Sequence, residues 1–372
     1  MSQADATDSK RSDITGLPGR YWHALDDGRL QCDLCPRFCK LRDAQRGLCF
    51  VRGRRNDQIL LTTYGRSSGF CIDPVEKKPL YHFLPGTPAL SFGTAGCNLA
   101  CKFCQNWDIT KTREFDRLQA AASPGSIAAM ALSTKSRSVA FTYNDPLIFL
   151  EYAVDTAAEC RERGIHTIAV SAGYVTPEPR EEFFRYMDAA NIDLKAFTDH
   201  FYRKICGGHL RPVLDTLLYL RHETAVWLEL TTLLIPGEND TVAEIEEMTQ
   251  WIVQNLGPDV PLHFSAFFPS WKMMEHTPTP QATLIRSRDI ARRNGLRYVY
   301  TGNVRDPQTS STYCPNCGGL LIGRDGYQLE HWNLLIRQGE AECGNCSAGV
   351  AGVFEEHPGT WGDCRQPVQT LI

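Results

Sequence analysis

Gly96-Cys97-Asn98-Leu99-Ala100-Cys101-Lys102-Phe103-Cys104-Gln105-Asn106 follows closely on a short apolar run at residues 89–93. Its cysteines stand in a C-x3-C-x2-C spacing. Three thiolates on one tight loop can hold three irons of a four-iron cluster, which normally takes four cysteine ligands. The fourth iron is then open to a small molecule. An open metal position means chemistry, as it does at catalytic zinc sites. A zinc knuckle would more often show C-x2-C in two copies. Cys97, Cys101 and Cys104 are therefore expected to be metal ligands and catalytic. Gly93 and Gly96 leave the backbone free to approach a cluster closely.

Outward from this loop, residues 57–305 alternate apolar runs with helical periods. The expected strands are 60–64, 89–93, 138–143, 167–171, 192–195, 227–234, 262–267 and 298–300. They are short and rich in β-branched or aromatic residues, as buried parallel strands tend to be. Asp145 followed by Pro146 reads as a helix N-cap and first position, with Leu147, Leu150, Val154 and Ala157 at helical spacing and Gly164 as the stop. Thr241 with Glu244 suggests a capping box ahead of Ile245, Met248, Ile252 and Leu256. A third helix is expected from Thr279-Pro280 to just before Gly295. Strand–helix alternation implies a parallel sheet, and right-handed crossovers allow it to close fully or partly into a barrel. Barrel sites sit at the C-terminal ends of the strands, where the three-cysteine loop falls.

The chain has 372 residues, enough for one large core plus accessory modules. The expected organisation is a flexible tail (1–30), an N-terminal cysteine-rich metal module (31–56), the barrel (57–305), a C-terminal zinc-ribbon-like module (306–360) and a second tail (361–372). No apolar run is long enough to span a membrane, and the polar start lacks a signal peptide, so a cytoplasmic protein is expected. Of 15 cysteines, 11 cluster, which in a reducing compartment points to metal binding. Cys71, Cys160, Cys206 and Cys364 are scattered and read as buried small hydrophobes. A net charge of -4 argues against nucleic-acid binding by the whole chain. Arg37, Lys40, Arg42, Arg46, Arg52, Arg54 and Arg55 form a basic stretch, read as a solvated surface.

C-x3-C-x-aromatic-C resembles the signature of the radical S-adenosylmethionine (SAM) enzymes. Residues 97–106 are similar to the activating enzymes of glycyl-radical proteins, such as the pyruvate formate-lyase activating enzyme. Further segments resemble the radical SAM enzymes of the AmmeMemoRadiSam system: Cys32-Asp-Leu-Cys35-Pro-Arg-Phe-Cys39, Asp73-Pro-Val-Glu-Lys-Lys-Pro-Leu-Tyr-His-Phe-Leu-Pro85, Gln105-Asn-Trp-Asp108, Tyr143-Asn-Asp-Pro146, Asn191-Ile-Asp-Leu-Lys-Ala-Phe197, Leu234-Ile-Pro-Gly-Glu-Asn-Asp240 and Tyr313-Cys-Pro-Asn-Cys317. The resemblance spans roughly residues 30–355 and implies a partial (β/α)6-type barrel. It also implies a [4Fe-4S] cluster on Cys97, Cys101 and Cys104, and reductive cleavage of SAM to a 5'-deoxyadenosyl radical plus methionine. The cofactor carries such chemistry and the protein positions it.

Cofactor contacts follow from the same resemblance. Asn144 and Asp145 stand where relatives hold the SAM amino group, a charge-assisted pairing for a carboxylate. Asp145 is one methylene shorter than the usual Glu. Asp193 and Lys195 stand where a Lys can meet the SAM carboxylate, Ser171 where a polar residue touches the ribose, and His263 within possible reach of the carboxylate. Phe103 could pack on a flat ring of the cofactor. Glu76, Lys77, Lys78, Tyr81 and His82 are expected near the substrate mouth. An electron donor of the flavodoxin or ferredoxin kind is implied, as are Memo-like and AMMECR-like companion proteins. The substrate stays open: a protein or small molecule, the glycine of a partner protein, or RNA. A metal-dependent binding protein with a purely structural cluster is the non-enzymatic alternative.

Two further cysteine groups remain. Cys314, Cys317, Cys343 and Cys346 form C-x2-C twice with glycines beside each knuckle, which suits tetrahedral zinc. Such a small module needs its metal to fold. Cys32, Cys35, Cys39 and Cys49 suit either zinc or an auxiliary iron–sulfur cluster. The spacing does not decide, and zinc is expected because nothing else demands an electron relay.

Overall fold

The computed structural model describes residues 14–111 and 120–368. Its centre is a nine-stranded sheet. In chain order the strands are β1 (Phe70–Pro74), β2 (Pro88–Phe92), β3 (Ser138–Phe141), β4 (His166–Ser171), β5 (Ala189–Asp193), β6 (Trp227–Leu234), β7 (Leu262–Ala266), β8 (Val299–Gly302) and β9 (Gln366–Val368). They lie in the order β8-β7-β6-β5-β4-β3-β2-β1-β9. β2 to β8 are parallel, while β1 and β9 run antiparallel at one edge. The expected α/β class is found, with seven parallel strands rather than six. β8 and β9 do not pair with each other, so the barrel is open.

Helices α1 (Pro124–Ser133), α2 (Leu150–Glu162), α3 (Pro177–Phe184), α4 (Arg211–Glu223), α5 (Val242–Leu256) and α6 (Gln281–Arg293) fill the crossovers. Asp145 caps a 3-10 turn, Pro146–Phe149, through Leu147 N at 3.1 Å, and α2 follows it. Thr241 caps α5 through Glu244 N. The capping box is only half formed, because the Glu244 carboxylate accepts from Phe197 N instead. Thr279 does not cap α6; its hydroxyl bonds Leu234 O and Phe267 N, tying β6 to the end of β7.

Three sequence expectations change. The run expected as a barrel strand at 60–64 lies in a small N-terminal sheet, where Gln58–Leu61 pairs with Leu17–Pro18 and Arg52–Arg55. Residues 14–30, grouped with a flexible tail, supply strands Leu17–Pro18 and Trp22–Ala24. Residues 366–368, also grouped with a tail, form β9 on the sheet edge. Sequence periodicity cannot show which strand a short segment will pair with; pairing is a tertiary outcome.

The basic stretch is not a solvated surface throughout. Arg52 is 1% exposed, and its guanidinium meets the buried Glu151 carboxylate of α2 and the Ile148 and Arg20 carbonyls. Glu151 also accepts Arg20 N at 2.7 Å. This buried ion pair fastens the N-terminal module to the barrel. Removing one partner strands the other charge, a cost of about 3–5 kcal/mol. Glu151→Ala is accordingly expected to lower the urea unfolding midpoint by that equivalent, measured on the intact protein.

The C-terminal module is two three-stranded sheets, Thr312–Tyr313, Leu320–Asp325 and Gln328–Trp332, then Leu334–Arg337, Glu340–Cys343 and Gly349–Val350. It packs on the barrel through Tyr81, Tyr298 and Tyr300. The buried Arg324 guanidinium donates to Tyr81 O at 2.7 Å and Thr312 Oγ1 at 2.8 Å. Among the described residues, no helix is long and apolar enough to cross a membrane.

Candidate active site

The C-terminal ends of the parallel strands surround a cavity of about 300 Å³. Cys97, Cys101 and Cys104 line it together, on the loop that leaves β2. The loop is held from all sides. Asn144, just past β3, accepts from Thr94 N at 3.0 Å and donates to Ala95 O and Gly96 O at 3.2 and 3.1 Å. Ala100 N and Lys102 N donate to Cys206 O and Ile205 O. Lys111 Nζ donates to Leu99 O at 2.9 Å. Gly96 has φ +78°, and a Cβ there would stand 1.9 Å from Cys49 O, so only glycine fits.

The opposite wall carries most of the expected cofactor contacts. Asp145 is 4% exposed and accepts from Leu147 N, Ser171 Oγ and Ala172 N at 3.1 Å each. Burial nonetheless pushes its carboxyl up to about 6. It is thus both a cap and a cavity-wall acid. Asp193 ends β5, and Lys195 Nζ reaches its carboxylate at 2.8 Å. Burial opposes the Lys195 charge, but Asp193 together with the Cys101 and Cys206 sulfurs outweighs this, and its pKa stands well above the usual lysine value. Both residues line the cavity. The ammonium lies 5.8 Å from the Phe103 ring centre, and that ring is itself part of the wall.

Two expected contacts have other work. The Asn144 amide is spent on the cysteine loop, so it positions the loop although it borders the cavity. His263 does not line this cavity; Ser265 does, two residues further along β7. His263 Nε2 instead meets the buried Glu229 carboxylate at 2.7 Å. Side chains alternate along a strand, but depth within the barrel is set by where the strand ends. Ser171 lines the cavity and is engaged with Asp145 and Gly173 N.

The sequence also missed residues. Cys206, read as a scattered hydrophobe, is fully buried beside Cys101, and its thiol, with Lys195 and Lys111, lowers the Cys101 thiol. Burial pushes Cys97 up to about 12. Cys71 and Cys160 are buried as expected, whereas Cys364 is exposed. Thr231 contributes a buried hydroxyl with no protein partner to the cavity wall. Nothing local marks these residues, because they enter from distant strands and loops.

A second cavity, about 590 Å³, shares Asn106, Tyr143, Ser265 and Asn303 with the first. Glu76, Lys77, Lys78, Tyr81 and His263 line it, with Thr301, Arg305 and Tyr327 opposite. Lys78 Nζ and Tyr143 Oη both bond the buried Asp73 carboxylate, at 2.6 and 2.8 Å. Burial brings Lys78 down to about 8, against the pull of Asp73. His82 faces away, its ring bonded to Ala351 O and Tyr300 Oη at the C-terminal module.

The C-terminal quartet closes as expected for a metal. The sulfurs of Cys314, Cys317, Cys343 and Cys346 all lie within 4.8 Å of one another.

The Radical SAM superfamily model matches residues 92–252, the segment that carries the cysteine loop and β3 to β6. An uncharacterized protein of Methanocaldococcus jannaschii is 37% identical over 316 residues, 85% of this chain and 94% of that one. The chain belongs to the radical SAM superfamily. Membership brings a [4Fe-4S] cluster and SAM, and the cavity suits them: three thiolates converge there, with a carboxylate, an ammonium and an unpartnered hydroxyl around space of ligand size. The chain is also similar to the pyruvate formate-lyase-activating enzyme of Clostridium pasteurianum, 26% identical over 164 residues, 43% of this chain and 67% of that one. Among solved structures, a radical SAM methyltransferase from Sphaerobacter thermophilus is 15% identical, with a TM-score of 0.48, covering 64% of this chain and 71% of that chain.

The close approach at Gly96 gives a direct test. Gly96→Ala must push the loop off Cys49, an overpacking cost of about 1–3 kcal/mol. The expected result is a lowered unfolding midpoint together with reduced iron retention after anaerobic reconstitution and gel filtration.

Proposed function

We propose that this chain is a radical SAM oxidoreductase that binds SAM above the three-cysteine loop and acts on a substrate in the adjoining cavity. The observation that carries this reading is the shared wall: Asn106, Tyr143, Ser265 and Asn303 border both spaces, so the two lie side by side. When bound, the cluster and SAM supply a reductively generated 5'-deoxyadenosyl radical that takes a hydrogen atom from the substrate.

The protein's own residues orient and exclude. The Asp145 carboxylate pairs with the SAM ammonium, and Lys195, held by Asp193, pairs with the SAM carboxylate. Phe103 offers a ring face, and Thr231 Oγ1 a hydrogen bond that it lacks within the protein. In the second cavity, Lys77 and Lys78 pair with Asp73 and Arg305 with Asp325, so paired charges line a space that favours a polar substrate, and Glu229 fixes the His263 ring against Tyr81. A one-electron donor of the flavodoxin or ferredoxin class completes the reaction in a reducing cytoplasm. The resemblance to AmmeMemoRadiSam enzymes supports Memo-like and AMMECR-like proteins as partners. A glycyl-radical activase is the second reading, favoured by the similarity to the pyruvate formate-lyase-activating enzyme.

Anaerobic protein incubated with SAM and dithionite should yield 5'-deoxyadenosine, and Cys101→Ala should abolish it. Cleavage that persists in the variant would overturn the ligand assignment. Asp145→Asn removes a charged hydrogen bond of about 1.5–3 kcal/mol, a rise of roughly tenfold or more in the SAM dissociation constant by equilibrium dialysis. The carboxylate is the binding form and its pKa is raised to about 6. Wild-type SAM affinity should therefore strengthen as pH rises from 5 to 7, and the Asn variant should lose that dependence.

A further inference from the structure

The end modules space their cysteines differently. In the C-terminal quartet, Cys314 Sγ and Cys346 Sγ are 3.7 Å apart, as are Cys317 Sγ and Cys343 Sγ. Four sulfurs at ~2.3 Å from one ion at tetrahedral corners stand about 3.8 Å apart. That quartet is drawn to a single ion.

Cys32, Cys35, Cys39 and Cys49 also converge, all four on one small cavity with apolar walls from Leu34 and Ile148. Yet among the described residues, the C-terminal quartet is the one group of three or more ligand atoms that lie within 4.8 Å of one another. No three of the N-terminal sulfurs close to the tetrahedral spacing. The cysteines of the 97–104 loop share this wider spacing, and there each thiolate serves its own iron. Arg37 borders the same cavity, and its Nη2 is buried without a partner. That donor faces a sulfur-rich anionic centre, whose sulfurs accept such hydrogen bonds, and the wider spacing of the thiols is what favours a cluster over a single ion.

The cavity lies against the back of the catalytic loop. Asn98, the neighbour of Cys97, lines it, and Arg37 Nε donates to Asn98 O at 2.9 Å. Cys49 O is the atom that Gly96 must be glycine to approach. We propose that Cys32, Cys35, Cys39 and Cys49 hold a second, fully thiolate-ligated four-iron cluster, separated from the first by the wall at Cys97-Asn98.

Metal and sulfide analysis of the anaerobically reconstituted full chain tests this. About eight irons and one zinc per chain are expected; about four irons and two zincs overturn it. Cys97→Ala/Cys101→Ala/Cys104→Ala should retain about four irons. Its dithionite-reduced EPR signal should be unchanged by SAM, since every iron is already ligated. A triple variant that folds, by circular dichroism, but binds no iron refutes the second cluster. Cys35→Ser/Cys39→Ser should keep a SAM-responsive signal on about four irons; if it does not fold, the wild-type count and the triple variant still decide. Failure to cleave SAM bears on the 97–104 site alone and leaves these iron counts unaffected.

Discussion

The mouth of this barrel depends on how one irregular loop satisfies its backbone. Residues 94–104 lie outside helix and strand, so their amides and carbonyls need partners from elsewhere. The partners come from four directions: the Asn144 amide past β3, the Cys206 and Ile205 carbonyls, the Lys111 ammonium and the Arg37 guanidinium. Each fixes a different part of the loop. Together they aim three thiols into one cavity without any regular structure to carry them. The N-terminal module is part of this support, pressed against Gly96 from behind and clamped to α2 by Arg52 and Glu151.

Electrostatics at the mouth divide the two cavities. The first pairs an isolated buried acid, Asp145, with an ion pair, Asp193–Lys195, the arrangement that suits a ligand bearing both an ammonium and a carboxylate. The second carries Lys77 and Lys78 on Asp73 beside Tyr143, Arg305 on Asp325, and the Glu229–His263 pair. Buried charges persist only when paired or when a ligand completes them. Thr231, an orphan hydroxyl in the first cavity, follows the same logic.

Much of this was legible beforehand. The cysteine loop sits at a strand end as its position after residues 89–93 implied, and Asp145 caps the turn ahead of α2 as the Asp-Pro pair implied. Asp193 and Lys195 do share one cavity wall. The illegible residues have a common reason. Arg52 looks like any surface arginine until Glu151 is folded onto it. Cys206 looks like a core cysteine until its loop is laid beside Cys101. His263 and Ser265 have the same parity on β7, and only their depth along that strand decides that Ser265 reaches the first cavity and His263 does not.

The chain's own order of residues determined the local chemistry: three thiols in a short span, caps and glycines at turns, and two paired knuckles able to close on an ion. These depend on neighbours a few residues apart, so spacing suffices. Tertiary structure decided what lies across the cavity from the thiols, which strand supplies each wall, and that two cysteine sites meet back to back. Those relations join residues separated by 50 to 99 positions, such as Thr94 with Asn144 and Arg52 with Glu151. No local pattern encodes such distances; packing one strand after another onto a single parallel sheet creates them.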